Sequence, residues 1–150
     1  MSNLSLALYQ PDIPTNTGSM MRLAACLGVR IDIIEPCGYV WDDKRLRRVA
    51  MDYIDHLDYT RHQSWDCFRK AKEGQRQVLL TTKGNTPYTD FLFQPNDILI
   101  VGRESAGAPE SVHNQVDAQL IIPMEAGLRS LNVALSAAMV LGEALRQIKI

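Results

Sequence analysis

Short apolar runs recur along the chain, and polar loops or turn residues separate them. Five of these runs lie at residues 4–9, 29–34, 76–82, 98–101 and 120–122. Each is short and ends in a loop, which is typical of strands buried in a parallel sheet. A sixth and shorter strand is predicted around residues 57–61.

Helical spacing fills the intervals between these strands. The first helix is predicted to begin near residues 15–17 and to end at Gly28, and two further helices cover residues 42–51 and 64–72. Strands that alternate with helices through short links pair in parallel with right-handed crossovers. We therefore predict an α/β fold with a mostly parallel sheet and helices on both faces.

A helix rich in small residues closes the chain, and Ser130 is its predicted N-cap. Two apolar stripes follow its length, and a helix that is apolar on two sides is expected to be buried on both. One interpretation is a central core helix; the other packs one side on the sheet and the other on a second copy, which gives a homodimer. The first stripe contains Leu131, Leu135, Ala138, Leu141 and Leu145, and the second contains Val133, Ala137, Val140 and Ala144.

Composition sets the class of protein. A chain of 150 residues is the size of one domain, so we expect a single domain over residues 1–150. It contains neither an apolar run of the roughly 20 residues that a bilayer requires nor an N-terminal signal pattern, so a cytoplasmic protein is expected. Its three histidines are scattered and its three cysteines form no CxxC pair, so no metal site is predicted.

Three loop motifs carry the chemical signal in the second half of the chain. Gly-Arg-Glu-Ser-Ala-Gly at residues 102–107 and Ile-Pro-Met at residues 122–124 each follow a predicted strand. Arg-Ser-Leu-Asn at residues 129–132 opens the terminal helix. Near the other end, Asn-Thr-Gly at residues 16–18 precedes Arg22. In this order, over nearly the whole chain, the motifs resemble those of SPOUT methyltransferases of the TrmH type.

The chain's size and the segment Trp-Asp-Asp-Lys-Arg-Leu-Arg-Arg at residues 41–48 narrow the resemblance to the TrmL-type branch. These enzymes methylate the ribose 2′-oxygen of the tRNA wobble nucleotide, cytidine or uridine. The resemblance implies a C-terminal trefoil knot, which is rare among protein folds. It also implies the cofactor S-adenosylmethionine, with S-adenosylhomocysteine as product, and tRNA as the substrate.

By this resemblance, loops at residues 81–85, 102–107 and 122–131 bind the cofactor mainly through backbone groups. Apolar side chains beside them are suited to enclose an adenine. Two kinds of role are open for Glu104. One is chemical, as a general base or a ligand of a phosphate-bound metal; the other is structural, as a carboxylate that accepts backbone amide bonds and holds its loop, and we favour the structural role. The predicted cofactor residues are Leu80, Thr81, Thr82, Gly102, Glu104, Gly107, Ile122, Met124, Ser130 and Leu131.

The predicted catalytic residues are Arg22, Ser130 and Asn132. We expect Arg22 to orient the 2′-hydroxyl group and to stabilise the developing alkoxide, because a guanidinium with a pKa above about 12 is a poor base. The proton would then leave to an RNA phosphate or to water. The amides of residues 16–18 are expected to be free at a helix start, where they form an anion site.

Net charge of −1 gives no general attraction to RNA, so cations must be concentrated locally. Four of them lie in five positions of the predicted helix 42–51, which forms a phosphate-binding stripe or, alternatively, an ordinary solvated helix face. The predicted RNA-binding residues are Lys44, Arg45, Arg47, Arg48 and Arg129.

Two other functions remain open. One is 2′-O-methylation of another tRNA or rRNA site, and the other is an RNA-binding module of this fold that has lost its activity. The chain also departs from the family pattern, with Ala108 before Pro109 where leucine is usual and Leu141-Gly142-Glu143 where many TrmL-type proteins have an aromatic residue before glutamate.

Overall fold

The computed structural model describes residues 3–128 and 131–148. Seven strands and five α-helices alternate along these residues, and two short 3₁₀ segments cover Met51–His56 and Tyr88–Asp90. The strands are β1 (Ser5–Tyr9), β2 (Arg30–Ile34), β3 (Tyr59–His62), β4 (Gln77–Leu80), β5 (Thr86–Pro87), β6 (Ile98–Val101) and β7 (Ala118–Ile121). The helices are α1 (Pro14–Leu27), α2 (Asp43–Ala50), α3 (Trp65–Ala71), α4 (Glu110–Gln115) and α5 (Val133–Ile148).

All seven strands form one parallel sheet in the order β3-β2-β1-β6-β4-β7-β5. The α/β prediction with a mostly parallel sheet is thus confirmed, and the strand that sequence patterns missed is the two-residue β5. Strands β1, β6, β4 and β7 are neighbours, although the loops after β1 and β6 lie 92 residues apart in the chain, counted from Asp12 to Glu104. Their carboxyl ends therefore meet at one edge of the sheet.

Strand side chains alternate between two hydrophobic cores. Leu6 and Leu8 pack with residues of α1, α2 and α5 on one face, whereas Ala7 packs with Phe68 of α3 and Val112 of α4 on the other. Helices on both faces were predicted, and this arrangement confirms them. The trefoil knot stays a prediction of the resemblance. Among the helices within residues 3–128 and 131–148, none has the length and apolarity to cross a membrane.

The terminal helix α5 begins at Val133, and Asn132 caps it. The Asn132 Oδ1 atom accepts bonds from the backbone amides of Ala134 at 2.9 Å and Leu135 at 3.2 Å. This satisfies two of the amides that a helix start leaves unpaired. Ser130, the predicted N-cap, lies outside the described residues.

The prediction that α5 is buried on both sides is wrong for a single chain. Val140 and Ala144 are fully buried against the sheet, but Leu135 is 61% exposed and Met139 42% exposed. The first apolar stripe is thus buried only in its C-terminal half, at Leu141 and Leu145. One apolar side of α5 faces solvent.

Helices α1 and α2 cross in close contact at Gly18. A Cβ atom at this position would lie 2.6 Å from the Val49 Cβ atom of α2. Gly18 therefore fixes how closely the helix that carries Arg22 approaches the helix that carries the predicted cation stripe.

Replacing Gly18 by alanine should lower the free energy of unfolding by about 1–2 kcal/mol, because overpacking outweighs the gain in helix propensity. Urea denaturation measures this change. Ser19→Ala is the matched control, since Ser19 is exposed on the same helix, and its effect should stay within about 0.5 kcal/mol. A Gly18→Ala variant as stable as the wild type would contradict this account of the crossing.

Candidate functional site

A cavity of about 550 Å³ opens at the sheet edge where β4, β6 and β7 end. The loops that follow these three strands enclose it, together with the beginning of α5 and residues Ile13 and Asn16 of the first loop and helix. Nine of the ten predicted cofactor residues line it, and Ser130 lies outside the described residues. The nine are Leu80, Thr81, Thr82, Gly102, Glu104, Gly107, Ile122, Met124 and Leu131.

The loop after β6 folds back tightly on itself. Arg103 and Gly107 exchange backbone bonds, with N–O distances of 3.3 and 2.8 Å, and Gly107 adopts a φ of +64°. A Cβ atom on Gly102 would lie only 2.7 Å from the Ala108 nitrogen. Glycine at position 102 is therefore required by close backbone packing, and the backbone of this loop forms one wall of the cavity.

The loop after β4 is held against β7. The Thr81 amide donates to the Leu120 carbonyl at 2.9 Å, and the Thr81 hydroxyl lies 2.9 Å from His113 Nε2. Leu80 and Ile122 add apolar surface beside these polar groups. An apolar wall with a few fixed polar groups is typical of a small-molecule site.

Asp12 and Glu104 join the loop after β1 to the loop after β6. The Asp12 amide donates to Glu104 Oε2 at 2.9 Å, and the Glu104 amide donates to Asp12 Oδ1 at 3.0 Å. The Ser105 hydroxyl also donates to Asp12. This geometry agrees with the expected loop-holding role of Glu104.

The Glu104 carboxyl group is strongly perturbed. Burial, and then the adjacent Asp12 carboxyl group, raises the pKa of Glu104 from 4.5 to about 7, while the same pairing lowers the pKa of Asp12. Glu104 Oε1 is buried and has no hydrogen-bond partner among residues 3–128 and 131–148. The Glu104 carboxyl group therefore changes between its protonated and ionised forms near neutral pH.

Asn16 and Asn132 connect α1 to α5 at the cavity. Asn132 Nδ2 donates to Asn16 Oδ1 at 3.2 Å, and both residues line the cavity. The predicted anion site is wrong at Asn16 and Thr17, because α1 begins earlier, at Pro14, and both amides donate to the Ile13 carbonyl. Proline suits this first helical position because it has no amide to satisfy.

Arg22 does not line the cavity of its own chain. It lies six residues beyond Asn16, about 9 Å along the helix axis, with its side chain exposed. Its Nη1 donates to Met51 Sδ at 3.5 Å, and its guanidinium lies 5.0 Å from the centre of the Tyr53 ring. The structure thus places Arg22 on a surface next to the 3₁₀ segment that follows α2.

The four predicted RNA-binding cations of α2 are all exposed. Arg45 pairs with Asp42 at 3.8 Å and Arg47 with Asp55 at 2.7 Å. Within the described ranges, Lys44 and Arg48 have no ion-pair partner. Arg129, the fifth predicted RNA contact, lies outside those ranges. The stripe therefore offers at least two uncompensated cations for phosphate groups.

Comparison with protein families matches the SpoU rRNA Methylase family over residues 3–142. The chain belongs to the SpoU methylase family. This confirms the resemblance drawn from the loop motifs.

Curated relatives of this SpoU protein carry a specific name. A tRNA (cytidine(34)-2′-O)-methyltransferase from Beijerinckia indica is 58% identical over 145 residues, which cover 95% of this chain and 91% of the relative. One of the same name from Escherichia coli strain K12 is 42% identical over 147 residues, covering 97% and 94%.

Solved structures of methyltransferases are also similar to this chain. One that concerns 2-OH methylation of C/U34 on tRNA superimposes with a TM-score of 0.94 at 36% identity and covers 99% of this chain and 97% of that chain. The SpoU methyltransferase AviRb from Streptomyces viridochromogenes, in complex with the cofactor AdoMet, has a TM-score of 0.83 at 28% identity and covers 98% and 61%.

Sequence reasoning missed Asp12 in this SpoU site. Residues 10–14 join the first predicted strand to the first predicted helix, and their two prolines exclude a helix interior. The available signal was a carboxylate three residues after a buried strand, at the edge where the other motif loops end. Its partner Glu104 is 92 residues away, and no local pattern predicts that pairing.

Replacing Glu104 by glutamine should flatten the pH dependence of stability in the cofactor-free protein. Because the folded-state pKa of Glu104 is raised, its contribution is fully present below 4.5 and is lost as the pH rises through about 7. Glutamine mimics the protonated form, so Glu104→Gln should match the wild type at pH 5 and exceed its stability at pH 8. Asp12, with its lowered pKa, stays ionised throughout this window.

Urea unfolding at the two pH values measures the difference. Glu110→Gln is the control, since Glu110 is exposed at the start of α4. Equal loss of stability from pH 5 to pH 8 in wild type and Glu104→Gln would show that this carboxyl group titrates normally.

Proposed function

We propose that this chain uses S-adenosylmethionine to methylate the ribose 2′-oxygen of the wobble nucleotide, cytidine or uridine, in the tRNA anticodon loop. The observation that carries the proposal is the single cavity formed by the three predicted motif loops, in a chain 58% identical to a tRNA (cytidine(34)-2′-O)-methyltransferase. We place the reaction in the cytoplasm.

The residues of the cavity fit the proposed cofactor. Apolar side chains of Leu80, Ile122 and Met124 suit an adenine, and the loop 102–107 brings backbone groups into the same cavity, where they would bond its polar edge. The buried Glu104 Oε1 atom, which has no partner among the described residues, gives the cavity a further polar group. When bound, S-adenosylmethionine supplies an electrophilic methyl group on a sulfonium centre.

We assign Arg22 the role of orienting the 2′-hydroxyl group and stabilising its developing negative charge. Its guanidinium stays protonated at neutral pH, so it donates hydrogen bonds and does not act as the base. Met51 and Tyr53 hold this side chain at a fixed place on the surface of α1. Asn132, which caps α5, and Ser130, which lies outside the described residues, complete the proposed catalytic set.

Because Arg22 does not line the cavity of its own chain, the cavity it would act at belongs to a second copy of the chain. Apolar residues of α5 and its preceding loop are exposed at Leu128, Leu131 and Leu135, and Leu131 also lines the cavity. A monomer rarely leaves such a surface uncovered, so we propose a homodimer in which α5 of each copy packs on its partner. Each active site would then combine the cavity of one protomer with Arg22 of the other.

The α2 stripe provides the proposed tRNA contacts. Lys44 and Arg48, which lack ion-pair partners among the described residues, would bind phosphate groups, with Arg45, Arg47 and Arg129 as further contacts. Single-stranded loop nucleotides can be splayed into a cavity without breaking a base pair. The second candidate function is 2′-O-methylation of an rRNA site, which the description of the matching family favours.

Transfer of labelled methyl groups to a synthetic anticodon stem-loop tests this function. A single 2′-deoxy substitution at the wobble nucleotide should abolish transfer, because it removes the acceptor oxygen, while the same substitution at the flanking nucleotides should preserve it. Transfer that survives deoxy substitution at the wobble position would contradict the proposed acceptor.

Arg22→Ala should lower kcat by about 100-fold or more, the effect of removing one donor to a developing oxyanion. The affinity of this variant for S-adenosylmethionine, measured by calorimetric titration, should equal that of the wild type, because the cavity of each chain is lined without its own Arg22. Lys70→Ala, which removes an exposed cation on α3, is the control and should retain full activity. Unchanged kcat in Arg22→Ala would exclude the role.

Mixing two inactive variants tests the composite site. Gly102→Val should close the cavity, because a side chain there meets the backbone of Gly107 and Ala108. Heterodimers of Gly102→Val and Arg22→Ala subunits should regain about half of the wild-type activity, since one of their two sites is intact. Sedimentation verifies the mixed dimer, and a mixed dimer without activity would contradict the exchange of Arg22 between protomers.

A further inference from the structure

A second pocket, separate from the cavity, lies at the same edge of the sheet. It has a volume of about 380 Å³ and is formed where β2 and β3 end. Trp41 and Arg61 line it, and the Gln63 side chain adds an amide that both donates and accepts hydrogen bonds. We call this site the Trp41 pocket.

Two flat groups are stacked in the Trp41 pocket. The Arg61 guanidinium carbon lies 4.6 Å from the centre of the Trp41 ring, and Trp41 is stacked with Tyr59 at 6.2 Å. Glu35 holds Arg61 in place, accepting from its Nε atom at 2.9 Å and from Nη2. Trp41 Nε1 in turn donates to Asp43 at 2.9 Å. Both planes are therefore fixed before a ligand arrives.

The Trp41 pocket is rigidly connected to the cavity. The Gly38 amide, in the loop between the Trp41 pocket residues, donates to the Pro11 carbonyl at 2.9 Å. A Cβ atom on Gly38 would lie 2.4 Å from Asp12 Cβ, so this loop packs directly on the loop after β1. Asp12 then bonds Glu104 at the wall of the cavity.

The distance between the Trp41 pocket and the cavity, and the positive charge of the nearby α2 cations, both fit a bound RNA strand. The boundary between β2 and β3 is three strand spacings from the boundary between β6 and β4, which is about 14 Å. That separation is too large for one nucleotide's ribose and base to fill both sites. The α2 cations begin three residues after Trp41, at Lys44, so phosphate contacts lie next to the stacked planes.

We propose that the Trp41 pocket binds the base of an RNA nucleotide that flanks the methylated one. The base would stack on the Arg61–Trp41 planes, and Gln63 would bond its edge. Unpaired RNA bases are commonly recognised by stacking on aromatic rings or arginine planes. This inference rests on the proposed function, since it assigns a second subsite for the same RNA.

Tryptophan fluorescence reads this contact directly. The chain has two tryptophans, and Trp65→Phe leaves Trp41 as the single reporter. Saturation with an anticodon stem-loop should quench its emission, because a stacked base quenches indole fluorescence. Replacing one flanking nucleotide of the stem-loop by an abasic residue should remove the quenching and weaken binding by about tenfold. Unchanged emission with every stem-loop would overturn the proposal.

Substitutions of Arg61 separate stacking from charge. Arg61→Lys keeps the charge and loses the plane, so it should raise KM for the stem-loop about tenfold, as Arg61→Ala does, with kcat less affected. Arg30→Ala is the matched control, because this arginine is similarly exposed at the opposite end of β2, and KM should stay within about twofold. Wild-type KM in Arg61→Lys would overturn the stacking role.

The two proposals can fail separately. Methyl transfer to the wobble ribose without Trp41 quenching removes the subsite and leaves the proposed function. Quenching by the stem-loop without methyl transfer supports the subsite as an RNA-binding site and removes the proposed function.

Discussion

The parallel order of four central strands is the constraint on which the site depends. Because β1, β6, β4 and β7 are neighbours and all point the same way, their following loops meet at one edge. In a parallel sheet of this kind, ligands bind outside the carboxyl ends of the strands. The central strands are mostly apolar, with Ser5 and Gln77 as buried polar exceptions, and the loops supply most polar groups of the cavity.

Hydrogen bonds between distant loops then set the shape of the cavity. Asp12 and Glu104 join loops 92 residues apart, and Asn16 and Asn132 join helices 116 residues apart. Such contacts close long loops at an entropic cost, and the sheet brings the backbones that make them together. The raised pKa of Glu104 follows from this closure, because its carboxyl group is buried beside another one.

Sequence patterns predicted the parts of the protein that depend on local periodicity. The strand at residues 98–101 was placed without error. The described residues expected to bind a cofactor line one cavity, because most of them lie at or just beyond the end of a predicted buried strand. Patterns could not supply the Asp12–Glu104 pairing, since it depends on the lateral order of β1 and β6. Sequence patterns also predicted that α5 is buried on both sides, because an apolar stripe has the same spacing in the sequence whether a sheet or a second protomer covers it.

Arg22 and the α2 cations lie on one surface, because α1 and α2 pack against each other and Arg22 contacts the segment that follows α2. A single RNA loop bound by the proposed dimer would contact both, while the exposed side of α5 would pack on the partner copy. Methylation in the anticodon loop, the proposed function, would use both Arg22 and the α2 cations. Membership of the SpoU methylase family and the named relatives support methyl transfer as the chemistry.

Mass spectrometry of wobble nucleosides in tRNA from cells that lack this chain tests the central claim most directly. We expect 2′-O-methylation of wobble cytidine or uridine to disappear and to return when the wild-type chain is supplied. Undiminished methylation of these nucleosides in the cells that lack the chain would contradict the account.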